Sequence, residues 1–178
     1  MILETERLYL RKLRQSDFED LCRILQDGEV MYAYEHAFET EEVQEWLDRQ
    51  LARYAVDGIG LWAVLLRETG EFVGQAGLTM QEYAGTRVPE IGYLLKKMYW
   101  QQGYATEAAS RCRDYAFNVK GWDRVYAIIR DCNAASRRVA ERVGMRRVDG
   151  FVKHYYGMDM PHDVYAVDRP KTENGGEV

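Results

Sequence analysis

The sequence predicts a mixed α/β domain, with one sheet of about seven strands and helices on both of its faces. Two observations support this fold class. Short apolar segments bounded by turn residues follow one another in the middle of the chain, which predicts antiparallel hairpins. Amphipathic helices separate the later strands, which predicts crossover connections and a mixed sheet. The resulting order is β-α-α-β-β-β-α-β-α-β-β. Without repeats or linkers, residues 1–169 are expected to form one domain and residues 170–178 a frayed tail.

The first third of the chain is predicted to form one strand and two helices. Residues 8–13 alternate and open the sheet. The segment 16–19 has the form of a capping box, so Ser16 is predicted to begin the first helix, with a stop at Gly28. Thr40 is predicted to cap the second helix, whose apolar face includes Leu51. The connection between them, residues 31–38, is rich in aromatic and polar side chains.

The remaining elements follow from apolar runs and turn residues. Three strands are predicted over 61–66, 72–80 and 88–95, with a hairpin turn at 68–71. A long helix follows, and then come a strand, a helix and two closing strands. The sequence predicts these last four elements over 124–130, 133–144, 145–152 and 164–167.

The stretch from Glu90 to Ser110 carries the strongest functional signal. It passes from a strand through a small-residue turn into the N-terminus of the long helix. The first N–H groups of a helix lack partners inside it, and the helix dipole adds partial positive charge. Gly103 and Ala105 would let a phosphate approach the backbone closely. The stretch therefore predicts a pyrophosphate site.

The bulk composition argues against several other classes of protein. A net charge of −5 argues against wholesale nucleic-acid binding and mildly suits a cationic substrate. No apolar run reaches membrane-spanning length, and the N-terminus lacks the regions of a signal peptide, so a cytoplasmic protein is expected. Three widely spaced cysteines and three scattered histidines predict free thiols and no metal site.

Three motifs, in this order along the chain, resemble the GNAT superfamily of N-acetyltransferases. They are Glu90-Ile-Gly-Tyr-Leu-Leu, Gln102-Gly-Tyr-Ala-Thr-Glu-Ala108, and the segment from Asn133-Ala-Ala-Ser136 through Glu141-Arg-Val-Gly-Met145. The opening Leu3-Glu-Thr-Glu-Arg-Leu-Tyr-Leu-Arg11 is similar to the branch that acetylates ribosomal-protein N-terminal alanine and serine. The resemblance implies a GNAT-like three-layer fold. Members of this branch often form homodimers, which leaves the oligomeric state open.

The resemblance also implies acetyl-coenzyme A as co-substrate, with no metal. The pyrophosphate would lie on the turn before the long helix, and the pantetheine arm would run along the preceding strand. In this family that strand is splayed from its neighbour, which leaves main-chain groups available. The implied cofactor-binding residues are Ile91, Tyr93, Leu94, Leu95, Gln101, Gln102, Gly103, Tyr104, Ala105, Thr106, Asn133 and Ser136.

Two residues are candidates for the chemistry of acetyl transfer. Glu90 could act as general base through water, or it could be an ordinary surface carboxylate at a strand start. Ser136 could donate a proton to the leaving thiol, or it could be an ordinary first-turn helix residue. Many family members have a tyrosine acid where this chain has Ala140, and Gln or Arg where it has Trp100. Asn133 could also serve only as a helix N-cap.

By family analogy the acceptor amine would lie between the connection 31–38 and the loop 153–157. The candidate acceptor-binding residues are Tyr32, Tyr34, His36 and Tyr155. The expected activity is direct attack of a primary amine on acetyl-coenzyme A, because no cysteine falls at a matched active position. The alternatives are a catalytically silent acyl-coenzyme A sensor and a detoxifying acetyltransferase for aminoglycosides or polyamines. The sequence does not choose among peptide N-termini, amino acids, polyamines and aminoglycosides.

Overall fold

The structure is a computed structural model that describes residues 1–155 and 157–171, with Tyr155 described by its backbone only. Eight strands form one sheet. They are β1 (Leu3–Glu4), β2 (Leu8–Lys12), β3 (Leu61–Leu66), β4 (Phe72–Tyr83), β5 (Thr86–Leu95), β6 (Arg124–Arg130), β7 (Arg146–Tyr155) and β8 (Met158–Asp168). The spatial order is β1-β2-β3-β4-β5-β6-β8-β7, and only β5 and β6 pair in parallel.

Four helices cover the two faces of the sheet, as the predicted three layers require. They are α1 (Phe18–Leu25), α2 (Thr40–Val56), α3 (Tyr104–Asn118) and α4 (Ala134–Arg142). Alternate residues of β3 divide the core. Leu61 packs in the cluster of α1 and α2, whereas Trp62 packs in the cluster of α3 and α4. Because successive strand side chains point to opposite faces, the fully apolar run of β3 serves both layers.

The strand count is eight where the sequence predicted about seven. The additional strand is β1, in which Leu3 pairs with Leu10 and is buried. Two residues are too short to show the alternation by which a strand is predicted. The closing strands also extend further than predicted, because β7 and β8 form one hairpin with Gly157 at a φ of 71° in its turn.

Both predicted helix starts in the first third of the chain were misplaced. Helix α1 begins at Phe18, after a 3₁₀ turn over Gln15–Asp17, and the Asp17 carboxylate accepts from the Arg14 N–H at 2.8 Å. At α2, the N-cap is Glu39, whose N–H donates to the Glu42 carboxylate at 2.8 Å, so Thr40 is the first helical residue. At both helices a carboxylate, that of Asp17 or Glu42, accepts the backbone hydrogen bond at the helix start, where a hydroxyl had been predicted to cap the helix.

The sheet opens between β5 and β6. Only one residue pair joins them, Glu90 opposite Tyr126. Beyond it, β5 continues along β4 to Leu95, and β6 continues along β8 to Arg130. The two strands therefore diverge, and the main-chain groups that face the opening have no strand partner. Backbone N–H and C=O groups always need a hydrogen-bond partner, so those in the opening are available to a bound molecule or to water.

Backbone hydrogen bonds hold the chain near both of its described ends. Thr5 and Leu8 close a turn between β1 and β2, and the Arg169 N–H donates to the Asp123 carbonyl at 2.7 Å. The predicted tail begins beyond this contact, and its residues 172–178 lie outside the described part of the chain. Among the helices of residues 1–155 and 157–171, none combines the length and the hydropathy that crossing a bilayer requires.

Candidate active site

The turn before α3 forms a cradle of main-chain N–H groups. Gln101 and Gly103 have φ values of 60° and 83°, in the left-handed region that turns the chain into the helix. The first backbone bond of α3 runs from the Glu107 N–H to the Gly103 carbonyl at 3.0 Å. Within the described chain, the N–H groups of residues 104–106 have no backbone acceptor, so they remain available to an anion.

The N-terminal segment holds this cradle from behind. The Glu107 carboxylate accepts from the Thr5 hydroxyl at 2.6 Å and from the Arg7 N–H at 2.9 Å. Burial raises the pKa of Glu107, but these hydrogen bonds and the Arg7 guanidinium outweigh it and hold the pKa below its usual value. The same guanidinium donates to the Gln102 carbonyl at 2.9 Å and lies over the Tyr104 ring. The carboxylate is thereby turned away from the cradle, which leaves the anion site without a competing negative charge.

A cavity of about 540 Å³ lies between the cradle, the outer half of β5 and α4; we call it the cradle cavity. Trp100 lines it, and its indole N–H donates to the Leu95 carbonyl at 3.0 Å. Two cations of α4, Arg138 and Arg142, also line it. The remaining lining residues are Val30, Tyr32, Tyr93, Leu94, Leu95, Tyr99, Gln101, Gly103, Tyr104, Ala105, Thr106, Asn133, Ala135, Ser136 and Val139.

A second cavity, of about 470 Å³, fills the opening between β5 and β6; we call it the splay cavity. Helix α2, the connection before it, and the β7–β8 hairpin supply its other walls. Four residues line both cavities: Tyr93, Leu94, Asn133 and Ser136. The two cavities therefore meet at this shared wall.

Hydrogen bonds fix the geometry of the junction. The Asn133 side-chain oxygen accepts from the Ser136 N–H at 3.0 Å, which caps α4, and from the Tyr32 hydroxyl at 2.8 Å. The Tyr93 hydroxyl donates to the Ser136 carbonyl at 2.8 Å. Asn133 thus acts as a cap and faces the cavities at the same time. The start of α4 is bound to β5 on one side and to the connection before α2 on the other.

Glu90 lies at the point where the strands part, inside the splay cavity. Burial raises its pKa to about 7, against the opposing effects of Lys153, Arg53 and the Ile128 N–H, which lower it. A carboxyl group with a pKa near neutrality can accept and release a proton at physiological pH. Its position is therefore that of a half-buried titratable group at a cavity, and not that of a carboxylate in a surface ion pair.

Most of the chain matches a known protein family. Residues 7–146 match the model of the acetyltransferase (GNAT) domain. The chain belongs to the GNAT family. The predicted resemblance and the three-layer fold are thereby confirmed, and the two cavities that meet beside a splayed strand occur in an acetyltransferase.

Other proteins resemble the chain over most of its length. The uncharacterised protein YkkB of Bacillus subtilis is 37% identical over 144 residues, which cover 80% of this chain and 84% of that protein. A GNAT-family acetyltransferase structure from Bacillus anthracis has a TM-score of 0.81 and 27% identity, covering 94% and 98% of the two chains. The ribosomal L7/L12 α-N-protein acetyltransferase RimL, solved in complex with coenzyme A, shares the fold, with a TM-score of 0.77, 17% identity, and coverage of 94% and 97%.

Most of the residues predicted for the site lie around the two cavities. Glu90, Ile91 and Tyr34 line the splay cavity, and Ser136 lies at the junction. Tyr32, predicted on the acceptor side, lines the cradle cavity instead. The predicted cofactor-side residues that line the cradle cavity are Tyr93, Leu94, Leu95, Gln101, Gly103, Tyr104, Ala105, Thr106, Asn133 and Ser136.

Three of the predicted site residues are not among those that line the two cavities. The Gln102 side chain turns away and donates to the Met98 carbonyl at 3.0 Å. His36 lies outside both cavities, with its Nε2 2.9 Å from the Glu42 carboxylate. Tyr155 ends β7 opposite Met158, and its side chain lies outside what the structure describes. Across residues 1–155 and 157–171, no three His, Cys, Asp or Glu side chains gather as metal ligands.

Sequence reasoning missed most of the basic residues of both cavities. In the cradle cavity these are Arg138 and Arg142, which stand four apart on α4. In the splay cavity they are Arg49, Arg53 and Arg130, whereas Glu35 and Lys153 belong to the connection 31–38 and the loop 153–157 that were predicted to flank the acceptor. The spacing of Arg49 and Arg53 on one helix was the available signal, but only the tertiary structure shows that this face borders a cavity.

Proposed function

We propose that this chain is an acetyl-coenzyme A dependent N-acetyltransferase, which transfers the acetyl group to a primary amine by direct attack. One observation carries the proposal: two cavities, one bordered by the cradle of N–H groups and the other by the half-buried carboxyl of Glu90, meet at a single wall beside an unpaired strand edge. A reaction between two bound substrates needs such a meeting point, because orientation of the reacting atoms supplies much of the rate enhancement.

The residues of the cradle cavity fit coenzyme A. The N–H groups at the start of α3 and the cations Arg138 and Arg142 suit phosphates. The Lys96 N–H donates to Val73, so by the alternation of an antiparallel ladder the N–H groups of Tyr93 and Leu95 face the opening. The Leu95 N–H, the nearer of the two to the cradle, can bond an amide of a pantetheine arm as an added strand would. Bound acetyl-coenzyme A supplies the activated acetyl thioester.

In the proposed reaction the acceptor nitrogen forms a bond to the thioester carbon, and the carbon–sulfur bond breaks. Glu90 would take the proton that the amine loses, through a water molecule. Its pKa of about 7 supports this role, since a base works best with a pKa near the working pH. The Tyr93 N–H, the nearer of the two to Glu90 along the strand, is the preorganised donor for the negative charge that develops on the carbonyl oxygen.

The leaving thiolate needs little help, since thiols of this kind have a pKa of roughly 8.5. Ala140, at the position where many relatives have a tyrosine acid, is buried and has no proton to give. The hydroxyl groups at the junction are those of Ser136 and Tyr93, and the Tyr32 hydroxyl is bonded to Asn133 beside them. A covalent acetyl-cysteine is not part of the proposal. Among the cysteines Cys112 is buried, while Cys22 and Cys132 line neither cavity.

The test is thiol release from acetyl-coenzyme A across a panel of amino acids, short peptides, polyamines and aminoglycosides, with coenzyme A binding measured in parallel. Amine-dependent thiol release with formation of an N-acetyl product is the expected result. Binding of coenzyme A with no turnover on any acceptor would sink the proposal in favour of a silent acyl-coenzyme A sensor. A variant in which all three cysteines are alanine should keep its activity, and loss of activity in a folded variant would refute direct attack.

A further inference from the structure

The splay cavity carries an excess of positive charge. Four basic side chains border it: Arg49 and Arg53 from α2, Arg130 from the end of β6, and Lys153 from β7. They come from three elements and surround the space that the proposed acceptor would enter. The charge of the whole chain is −5, so this cavity differs in sign from the protein around it.

None of the four has a carboxylate partner within 4 Å among the residues that the structure describes. Arg130 donates to the carbonyls of Ala33 and Tyr34, at 3.2 and 3.3 Å. Arg53 donates to the Gln50 side chain at 3.3 Å, and Arg49 stands 6.0 Å from the Trp46 ring. These contacts hold the three arginines in place without pairing any of them directly to a carboxylate.

An anion bound between the two arginines of α2 would relieve their mutual repulsion. Arg49 and Arg53 stand four residues apart on one helix face, where like charges repel weakly. Burial lowers the pKa of Arg53, and the charge of Arg49 lowers it further, while Glu90 and Asp57 raise it. Two guanidinium groups held close together without a carboxylate resemble the arrangements that recognise carboxylate or phosphate groups.

The acidic and titratable groups of the cavity do not cancel this charge. Its carboxyl groups are Glu35 and Glu90. Burial raises the pKa of both, that of Glu90 to about 7, so Glu90 is only partly charged near neutral pH. His162 also lines the cavity, and burial lowers its pKa, so it adds little positive charge of its own. Four basic side chains therefore face two carboxyl groups, and burial makes both of these harder to ionise.

We propose that the natural acceptor is an amine that carries a carboxylate or another anionic group, such as an amino acid or an acidic peptide N-terminus. The inference rests on the proposed function and deepens it. In this arrangement the amine lies at Glu90 and the anionic group contacts the basic side chains. The cavity volume of about 470 Å³ accommodates a ligand of that size. Polyamines and aminoglycosides, whose other amines are also positively charged, would be repelled.

A matched set of acceptors tests the charge preference. 4-Aminobutyrate, 4-aminobutanamide and putrescine present a primary amine on a four-carbon chain with an anionic, a neutral and a cationic end. The amidated peptides Ala-Glu-Ala, Ala-Gln-Ala and Ala-Lys-Ala repeat the comparison on an α-amine and separate a peptide acceptor from a small one. In at least one set, kcat/KM should fall in the order anionic, neutral, cationic, by roughly tenfold per step at low salt, and the steps should shrink as salt is added.

An Arg49→Gln variant links the preference to the cavity, because Arg49 is not among the charges that shift Glu90. The ratio of kcat/KM between the anionic and neutral acceptors should fall about three- to tenfold. Arg14→Gln is the matched control, since Arg14 is exposed and lines neither cavity, and its ratio should match that of the wild type.

The possible failures are distinguishable. A flat or reversed order in both sets, or an unchanged ratio in a folded Arg49→Gln protein, would overturn the acceptor class and leave the acetyltransferase proposal standing. An absence of turnover on every acceptor would overturn both.

Discussion

Arg7 and Glu107 are joined at two points, although they stand 100 residues apart in the chain. The Arg7 Nε lies 2.7 Å from Glu107 Oε2, and its backbone N–H donates to Oε1 at 2.9 Å. The pair links the segment between β1 and β2 to the first turn of α3. Since Arg7 also holds the Gln102 carbonyl, it fixes the turn that presents the proposed pyrophosphate site.

An Arg7→Ala variant should bind acetyl-coenzyme A more weakly. Loss of the contacts to Glu107 and Gln102 lets the cradle relax, at a cost of about 1 kcal/mol for a partly exposed pair. We therefore expect the KM for acetyl-coenzyme A to rise roughly fivefold, with little change in the KM for the acceptor. Steady-state kinetics with each substrate varied in turn provides the measurement. Arg87→Ala, which removes an ion pair to Asp57 remote from the cradle, is the control. Equal changes in both KM values would contradict the assignment.

A Gly103→Ala substitution should damage the same site by another route. Gly103 has a φ of 83°, so a side chain there is strained by about 1–2 kcal/mol, and its Cβ would lie 3.3 Å from the Arg7 guanidinium. Gly85 has a φ of 75° with no atom within 4 Å of an added Cβ, which makes Gly85→Ala a control of matched strain. Both variants should lose similar thermal stability, but only Gly103→Ala should raise the KM for acetyl-coenzyme A. An equal rise of this KM in both variants would mean that general destabilisation causes the effect.

A Tyr32→Phe variant tests the junction between the cavities. It removes the hydroxyl that bonds Asn133 and leaves the helix cap intact, because the Ser136 N–H still donates to Asn133. We expect kcat/KM to fall roughly three- to tenfold, as loss of one hydrogen bond of about 0.5–1.5 kcal/mol implies, with a nearly unchanged melting temperature. Asn133→Ala should also lose about 1 kcal/mol of stability, because it removes the cap as well. A Tyr32→Phe protein with full activity would show that the hydroxyl has no part in the reaction.

Most elements of the fold were predictable because they follow from local hydrophobic patterns in the sequence. Runs such as β3 and the apolar face of α3 indicate elements whatever surrounds them. Helix α2 shows the limit of such patterns. Leu51, predicted on its apolar face, is 37% exposed, whereas Gln50 is fully buried and its side-chain oxygen accepts from the Leu61 N–H at 3.0 Å. A polar residue that completes a strand edge cannot be recognised from hydropathy, since the strand it serves lies elsewhere in the chain.

The candidate site also has one part that the sequence predicts and one part that it does not. The cradle could be predicted, because Gly103 and the start of α3 are adjacent in sequence and the anion site is made of backbone. The charges of the splay cavity could not, because Arg53, Arg130 and Lys153 meet only after three distant elements pack together. Glu90 was recognisable as a candidate from its motif, but its raised pKa results from burial at the point where the strands part.

A Glu90→Gln variant tests the proposed base through the pH dependence of the rate. The wild-type carboxyl must be deprotonated to act, so kcat/KM should rise with pH up to about 7. Below that pH, the slope of log kcat/KM against pH should be one unit steeper for the wild type than for Glu90→Gln, whatever limb the acceptor amine adds. The variant should also lose roughly 10²-fold or more in kcat. Glu82→Gln, at an exposed position, should behave as the wild type does. Identical slopes would exclude Glu90 as the base.

Relative to the wild type, Glu90→Gln should become more stable as the pH rises. The Glu90 pKa is raised from 4.5 to about 7 in the folded protein, so between these values the folded chain holds a proton that the unfolded chain has released. The stability contributed by this proton is complete below about pH 4.5 and is lost as the pH rises through about 7. Glutamine stays neutral throughout. The melting temperature of Glu90→Gln relative to the wild type should therefore increase from pH 5 to pH 8. A constant difference would mean that the folded and unfolded pKa values are equal, and that Glu90 is as well hydrated as a surface carboxylate.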